Sequence, residues 1–111
     1  MLEITIIGYL GTHITAPVYA EIPADKPERF VVVEKMGGER ENYIDTAAVS
    51  FRSFGPSLLD AMKLNEEVMA AVETMTDLDE ICCCEYGGDF NDSDTASKQY
   101  CYQAMYNITY Y

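Results

Sequence analysis

The chain has no tryptophan, a single histidine and only seven basic residues against nineteen acidic ones. Each shortage excludes something. A formal charge of −12 leaves no basic patch to displace counterions from a nucleic-acid backbone. It equally disfavours an anionic membrane surface. No stretch reaches the roughly 18 apolar residues of a transmembrane helix. The start, Met1-Leu2-Glu3-Ile4, lacks the basic n-region and small-residue cleavage site of a signal peptide. The chain is therefore expected to stay in the cytoplasm of the cell that makes it.

The residues that carry chemistry are few and badly spaced for it. Cys82, Cys83 and Cys84 are consecutive, and Cys101 stands apart. Structural zinc takes cysteines in C-x2-C-type pairs on turning backbone, whereas consecutive strand residues point to opposite faces. Small apolar strand positions and free thiols are expected. His13 is placed in a surface loop, far in sequence from any nucleophile it could activate. Asp89, Asp92 and Asp94 share one polar stretch, but the spacing of a calcium loop is missing. No phosphate-binding glycine motif is present. No catalytic, cofactor-binding or metal-ligating residue is assigned, and the chain is not expected to be an enzyme.

What is there is a core. Hydrophobic residues make up 49% of 111 positions, enough for one domain spanning residues 1–111. Leu2, Ile6, Ile7 and Leu10 fit a short amphipathic helix, while the alternation at 2, 4 and 6 fits a strand nearly as well. Val18–Ile22 lies between Pro17 and Pro23 and reads as a short extended piece. Arg29 to Met36 reads as a buried strand, ended by Gly37-Gly38 and a charged turn, Glu39–Asn42. Tyr43 to Phe54 alternates, with Ala47, Val49 and Phe51 on one face, and pairs back as a hairpin. Ser57 with Asp60 predicts a helix start, and apolar residues at helical spacing carry that helix to about Met75. Glu66, Glu67 and Glu73 fall on its outer face as solvated charges. Glu80 to Tyr86 predicts a strand, followed by a long polar loop from Gly87-Gly88 to Thr95. Lys98 to Tyr110 alternates throughout and predicts the last strand. The expected fold is α+β: a mixed, mostly antiparallel sheet packed by one main helix, about 57–75, and a short N-terminal element.

Three stretches together point to a family. They are Val18–Pro23 with Pro27–Gly38, then Ser57–Ala61 with Leu64-Asn65, and Asp94–Ala104. In this order they resemble the small tail-terminator and head–tail joining proteins of long-tailed bacteriophages and prophages, in the forms common in Gram-positive hosts. The resemblance covers nearly the whole chain, though no single motif in it is a signature. Cys101 stands where a basic residue is expected, so an inter-subunit ion pair there is not carried over. The resemblance implies an α/β sandwich and a ring, usually a hexamer, that caps the tail tube and meets the head connector. It implies assembly in the bacterial host cytoplasm and a final place in the virion, with no cofactor. Another connector-stopper or tail-assembly adaptor is the alternative reading.

A ring-forming protein needs contact residues. Residues 57–97 carry eleven acids and one base, Lys63, so one part of the molecule should project a negative field. If it faced a lumen, it would repel DNA phosphates. The loops Gly37–Asn42 and Gly87–Ser97 are expected at the tips of adjacent hairpins, where binding residues tend to sit. Met36, Arg40 and Phe90 are the candidate protein-interface residues, because arginine and large apolar side chains anchor interfaces. Their expected partners are further copies of the chain, the tube protein and the connector protein. Nine tyrosines, several in the last strand, suit either half-buried strand packing or an interface.

Overall fold

The computed structural model describes residues 1–41 and 43–111; Asn42, which the sequence puts in a turn, lies outside the described residues. The element order is α1 (Leu2–His13), β1 (Val18–Tyr19), β2 (Phe30–Glu41), β3 (Ile44–Gly55), α2 (Leu58–Val72), a 3-10 turn (Met75–Asp77), β4 (Ile81–Asn91) and β5 (Tyr100–Tyr110). The strands form one five-stranded sheet ordered β1-β2-β3-β5-β4. Among the described residues only the short β1 runs parallel to its neighbour; the other pairs are antiparallel. This is the expected mixed, mostly antiparallel α+β sheet.

The ambiguous N-terminus is a helix. Leu2, Ile6 and Leu10 recur every four residues and are all buried. They join the core with Ile14 and Ala16. Packing of that stripe overrides the strand preference of the isoleucines. His13 is the last residue of this helix, not part of a loop.

Helix α2 starts as its sequence predicts. Ser57 Oγ accepts from the Asp60 backbone N–H at 3.2 Å and donates to its carboxylate at 2.8 Å. Such a cap satisfies an otherwise unpaired helical N–H. Ala61, Leu64, Val68 and Val72 are fully buried. The α-helix itself stops at Val72, three residues short of the sequence estimate, and a 3-10 turn then buries Met75. Gly55 lets the chain enter the helix: a Cβ there would lie 2.9 Å from Ala61 N and from Asp60 Cβ.

Two strand ends differ from expectation. Gly37-Gly38 does not end β2. The register shifts between Lys35 and Gly37, and pairing continues to Glu41 opposite Ile44. Likewise β4 passes through Gly87-Gly88 with a shift between Tyr86 and Asp89 and runs on to Asn91. Gly88 takes φ +111, a conformation that only glycine adopts freely. Both shifts are bulges, one at Met36 just before Gly37-Gly38 and one at Gly87-Gly88, which bend and twist a strand without stopping it.

Both helices pack on one face of the sheet. Val31, Val33, Ala47, Val49, Phe51, Ala104, Tyr106 and Ile108 meet them there. The other face carries a separate small cluster of Phe30, Val32, Phe54 and Cys101, with no helical residue in it. Phe30 and Phe54 stack there with centroids 4.5 Å apart, and Arg52 sits 5.2 Å above the Phe54 ring. The molecule measures 45 × 24 × 24 Å. Strands of this length, at about 3.3 Å per residue, account for the long axis.

Candidate interaction surface

The three candidate interface residues all lie on or beside strands, not on loop tips. Met36 occupies the β2 bulge and is 55% exposed. Arg40 lies near the end of β2, opposite Asp45 on β3. Its Nε and Nη2 donate to the two Asp45 carboxylate oxygens at 2.7 and 3.0 Å. That bidentate hydrogen bond raises the Arg40 pKa and lowers that of Asp45. The guanidinium is thereby held in a fixed orientation while its outer side stays open to solvent. Phe90 is 47% exposed. It pairs with Gln103, which pairs with Arg52, and so lies on the face without helices.

These residues do not come together. The two loops were expected at the tips of adjacent hairpins, and the register puts those tips at opposite ends. Arg40, Asp45 and Tyr110 form one rung, whereas Phe90, Gln103 and Arg52 form another. Arg52 lies seven positions along β3 from Asp45, about 23 Å at strand rise. The β2–β3 turn is at one end of the long axis and the turn between β4 and β5 is at the other. The reason is topological: β5 pairs antiparallel with β3 and starts beside Gly55, so the turn that leads into it from β4 lies at the end away from the β2–β3 turn.

The Arg40 end has further exposed character. A depression of about 560 Å³ there is lined by Lys35, Arg40, Asp45, Glu80, Tyr110 and Tyr111 together with the start of α1. Tyr43, at the tip, takes φ 68 and is 90% exposed. At the other end the exposed apolar side chains are Leu58, Leu59 and Phe90. The sequence names Met36, Arg40 and Phe90, but Tyr43 and Leu59 escape it. A large apolar residue in a turn or at a helix start is the signal that could have found them.

The other singled-out residues have local roles. The His13 ring stacks on Tyr9 at 3.9 Å, and Nδ1 lies 2.7 Å from the Tyr9 carbonyl oxygen. Asp89 points to the helix side, where its carboxylate accepts from Asn65 Nδ2 at 3.1 Å and from the Tyr86 hydroxyl. Asp94 Oδ1 accepts from the Ala96 backbone N–H at 3.1 Å and closes the turn before β5. Among the described residues no three His, Cys, Asp or Glu side chains gather as metal ligands. Cys82 and Cys83 are exposed, Cys84 is half-buried and Cys101 is buried. Burial pushes the Cys84 and Cys101 thiols up to about 11, which keeps them protonated and weakly nucleophilic near neutrality.

Two helical acids are not idle solvated charges. Glu67 accepts from the Thr15 backbone N–H at 2.8 Å and its hydroxyl at 3.0 Å, and meets Arg29 at 3.5 Å. Glu73 accepts from the buried Tyr106 hydroxyl. Helical spacing places both outward, yet partners from other elements reach them. No helix of the described chain is long and apolar enough to cross a membrane.

In comparisons with known proteins, no family model matches this sequence and no curated protein matches it.

Proposed function

We propose that this chain is a structural protein of phage assembly. It forms a ring that ends the tail tube of a long-tailed phage and joins it to the head connector. The observation that carries the reading is the separation of the candidate contact residues along one long subunit. A joining ring needs one surface toward the tube, another toward the connector, and flanks that meet its own copies. Arg40 and Tyr43 at one end and Phe90 with Leu59 at the other supply two distinct ends.

The resembling stretches agree with that reading. Pro27–Gly38 leads into β2 and through most of it, Ser57–Leu64 is the capped start of α2, and Asp94–Ala104 is the turn into β5. The net charge of −12 suits a protein past which DNA must move without sticking. A hexamer is the expected ring, as in the family it resembles.

Two measurements test the proposal. Native mass in solution across a range of concentrations is expected to give a closed oligomer. Disruption of the gene in its phage or prophage is expected to yield filled heads and separate tails. Joined, infectious particles in normal yield without the gene would overturn it.

A further inference from the structure

The sheet has two open edges, and they lie on opposite sides of the subunit. β4 pairs with β5 alone. β2 is covered on its outer side only at Val31 and Val32, by β1. Its remainder, Glu34–Glu41, has no strand on that side among the described residues. Long open edges offer rows of unpaired N–H and C=O groups, and proteins usually guard them with lysine, proline or a covering element. β4, Ile-Cys-Cys-Cys-Glu-Tyr-Gly-Gly-Asp-Phe-Asn, has neither lysine nor proline.

Gly37 follows the bulge at Met36, and a Cβ on it would meet nothing within 4 Å. A strand glycine marks a bulge or the close approach of another backbone, and here it leaves the edge clear of a side chain.

We propose that β4 of one copy adds to the Glu34–Glu41 edge of β2 in the next, so that a continuous antiparallel sheet runs from subunit to subunit. The inference rests on the ring reading and specifies its lateral contact. Strand directions decide the geometry. Neighbours β2, β3, β5 and β4 alternate up, down, up, down. A β4 placed beside the next β2 continues that alternation under a simple rotation, a head-to-tail contact of the kind that closes into rings. The bulges at Lys35/Gly37, Ile81/Cys83 and Tyr86/Asp89 supply the bends a curving sheet needs.

Charge favours this over pairing of two β4 strands. β4 carries two acids and no base, Glu85 and Asp89, whereas Glu34–Glu41 offsets Glu34, Glu39 and Glu41 with Lys35 and Arg40. Two β4 strands would oppose like charges, which is destabilising across a strand pair. The internal register also sets a level. Glu39 pairs with Thr46, Thr46 with Thr109, and Thr109 with Cys83. Residue 39 of one copy therefore stands level with Cys83 of its neighbour, on the same face, if the ring has no axial stagger.

The native thiols make this testable in the full-length protein. Met36→Cys, Glu39→Cys and Glu41→Cys, made singly at exposed positions, cover neighbouring registers. Mild oxidation is expected to give a ladder of disulfide-linked multimers in at least one of them. Peptide mapping is expected to find its link at Cys82 or Cys83, and Cys82→Ser with Cys83→Ser is expected to remove the ladder. A closed oligomer that yields no such link in any variant, or yields only β4-to-β4 dimers, overturns the edge pairing and leaves the ring reading standing. A monomer at every concentration overturns both.

Discussion

Tyr106 donates its hydroxyl to Glu73 Oε2 at 2.9 Å, tying the middle of the last strand to the residue that ends α2. The ring is buried between Phe51 and Tyr86 in edge-to-face contact, while Glu73 is exposed. Tyr106→Phe keeps the ring and deletes the bond. It is expected to cost about 1 kcal/mol, read from the urea midpoint at constant slope.

Two buried groups and one half-buried group make the fold sensitive to alkali. Burial raises the Tyr106 hydroxyl well above its ordinary value and lifts the Cys84 and Cys101 thiols to about 11. In each the folded state holds its proton more tightly than the unfolded chain. The linked stability is complete below the unfolded thiol value, about 9, and is lost as pH rises through the folded one. Urea midpoints should therefore be flat from pH 7 to 8.5 and fall toward pH 11. In Cys84→Ala/Cys101→Ala the fall should be shallower, whatever the offset from lost packing. An unchanged slope would mean that these thiols are not buried.

The helix stripe gives a graded test. Val72 is fully buried, and Val72→Asp should cost about 3–5 kcal/mol by placing an unpaired charge in the core. Glu66→Ala, on the exposed face, should stay within about 0.5 kcal/mol. Glu67→Ala should fall between them, at about 1 kcal/mol, because it leaves the Thr15 N–H and hydroxyl without their acceptor. Equal effects for Glu66 and Glu67 would show that the contact to Thr15 adds nothing.

The sequence carried most of this fold because its signals were local. Ser57 and Asp60 fixed the start of α2, and alternation fixed β3 and β5. What it misread was settled by tertiary contacts. Leu2, Ile6 and Leu10 fit either period until α2 and the sheet supplied a surface for the helical one. Gly37-Gly38 and Gly87-Gly88 resemble turn signals, and a bulge uses the same residues for a different end. Glu67 and Glu73 look outward in helical projection, but Thr15 and Tyr106 reach them from other elements. The arrangement of the candidate residues was not legible, since only the β3–β5 register sets Arg40 and Phe90 apart.

Charge yields a direct prediction. At −12 the chain should show no affinity for duplex DNA at physiological salt in a mobility-shift assay. Tight binding that weakens steeply with salt would reveal a basic surface that neither the sequence nor the fold presents.

Separation of Arg40 and Phe90 changes what their substitution should do. Residues on one contact surface fail together and in the same way. Residues at opposite ends of a joining subunit should fail at different steps. Arg40→Glu places a carboxylate beside Asp45, breaks the bidentate pair and reverses the charge of that end. Phe90→Ser removes an exposed ring from the other end. Both positions are outside the core, and each variant should keep the circular dichroism spectrum of the native protein, with a small drop in thermal midpoint for Arg40→Glu. Under the proposed role as a joining ring, the two single variants should give different arrested particles in complementation of a gene-deleted phage. In one the ring should remain on tails that lack heads; in the other it should be missing from the tails. The double variant should yield no infectious particles. Electron microscopy of the lysates separates these outcomes. Normal titres from the double variant would show that neither end makes contact through these residues, and identical arrested particles from both singles would show that they serve one surface.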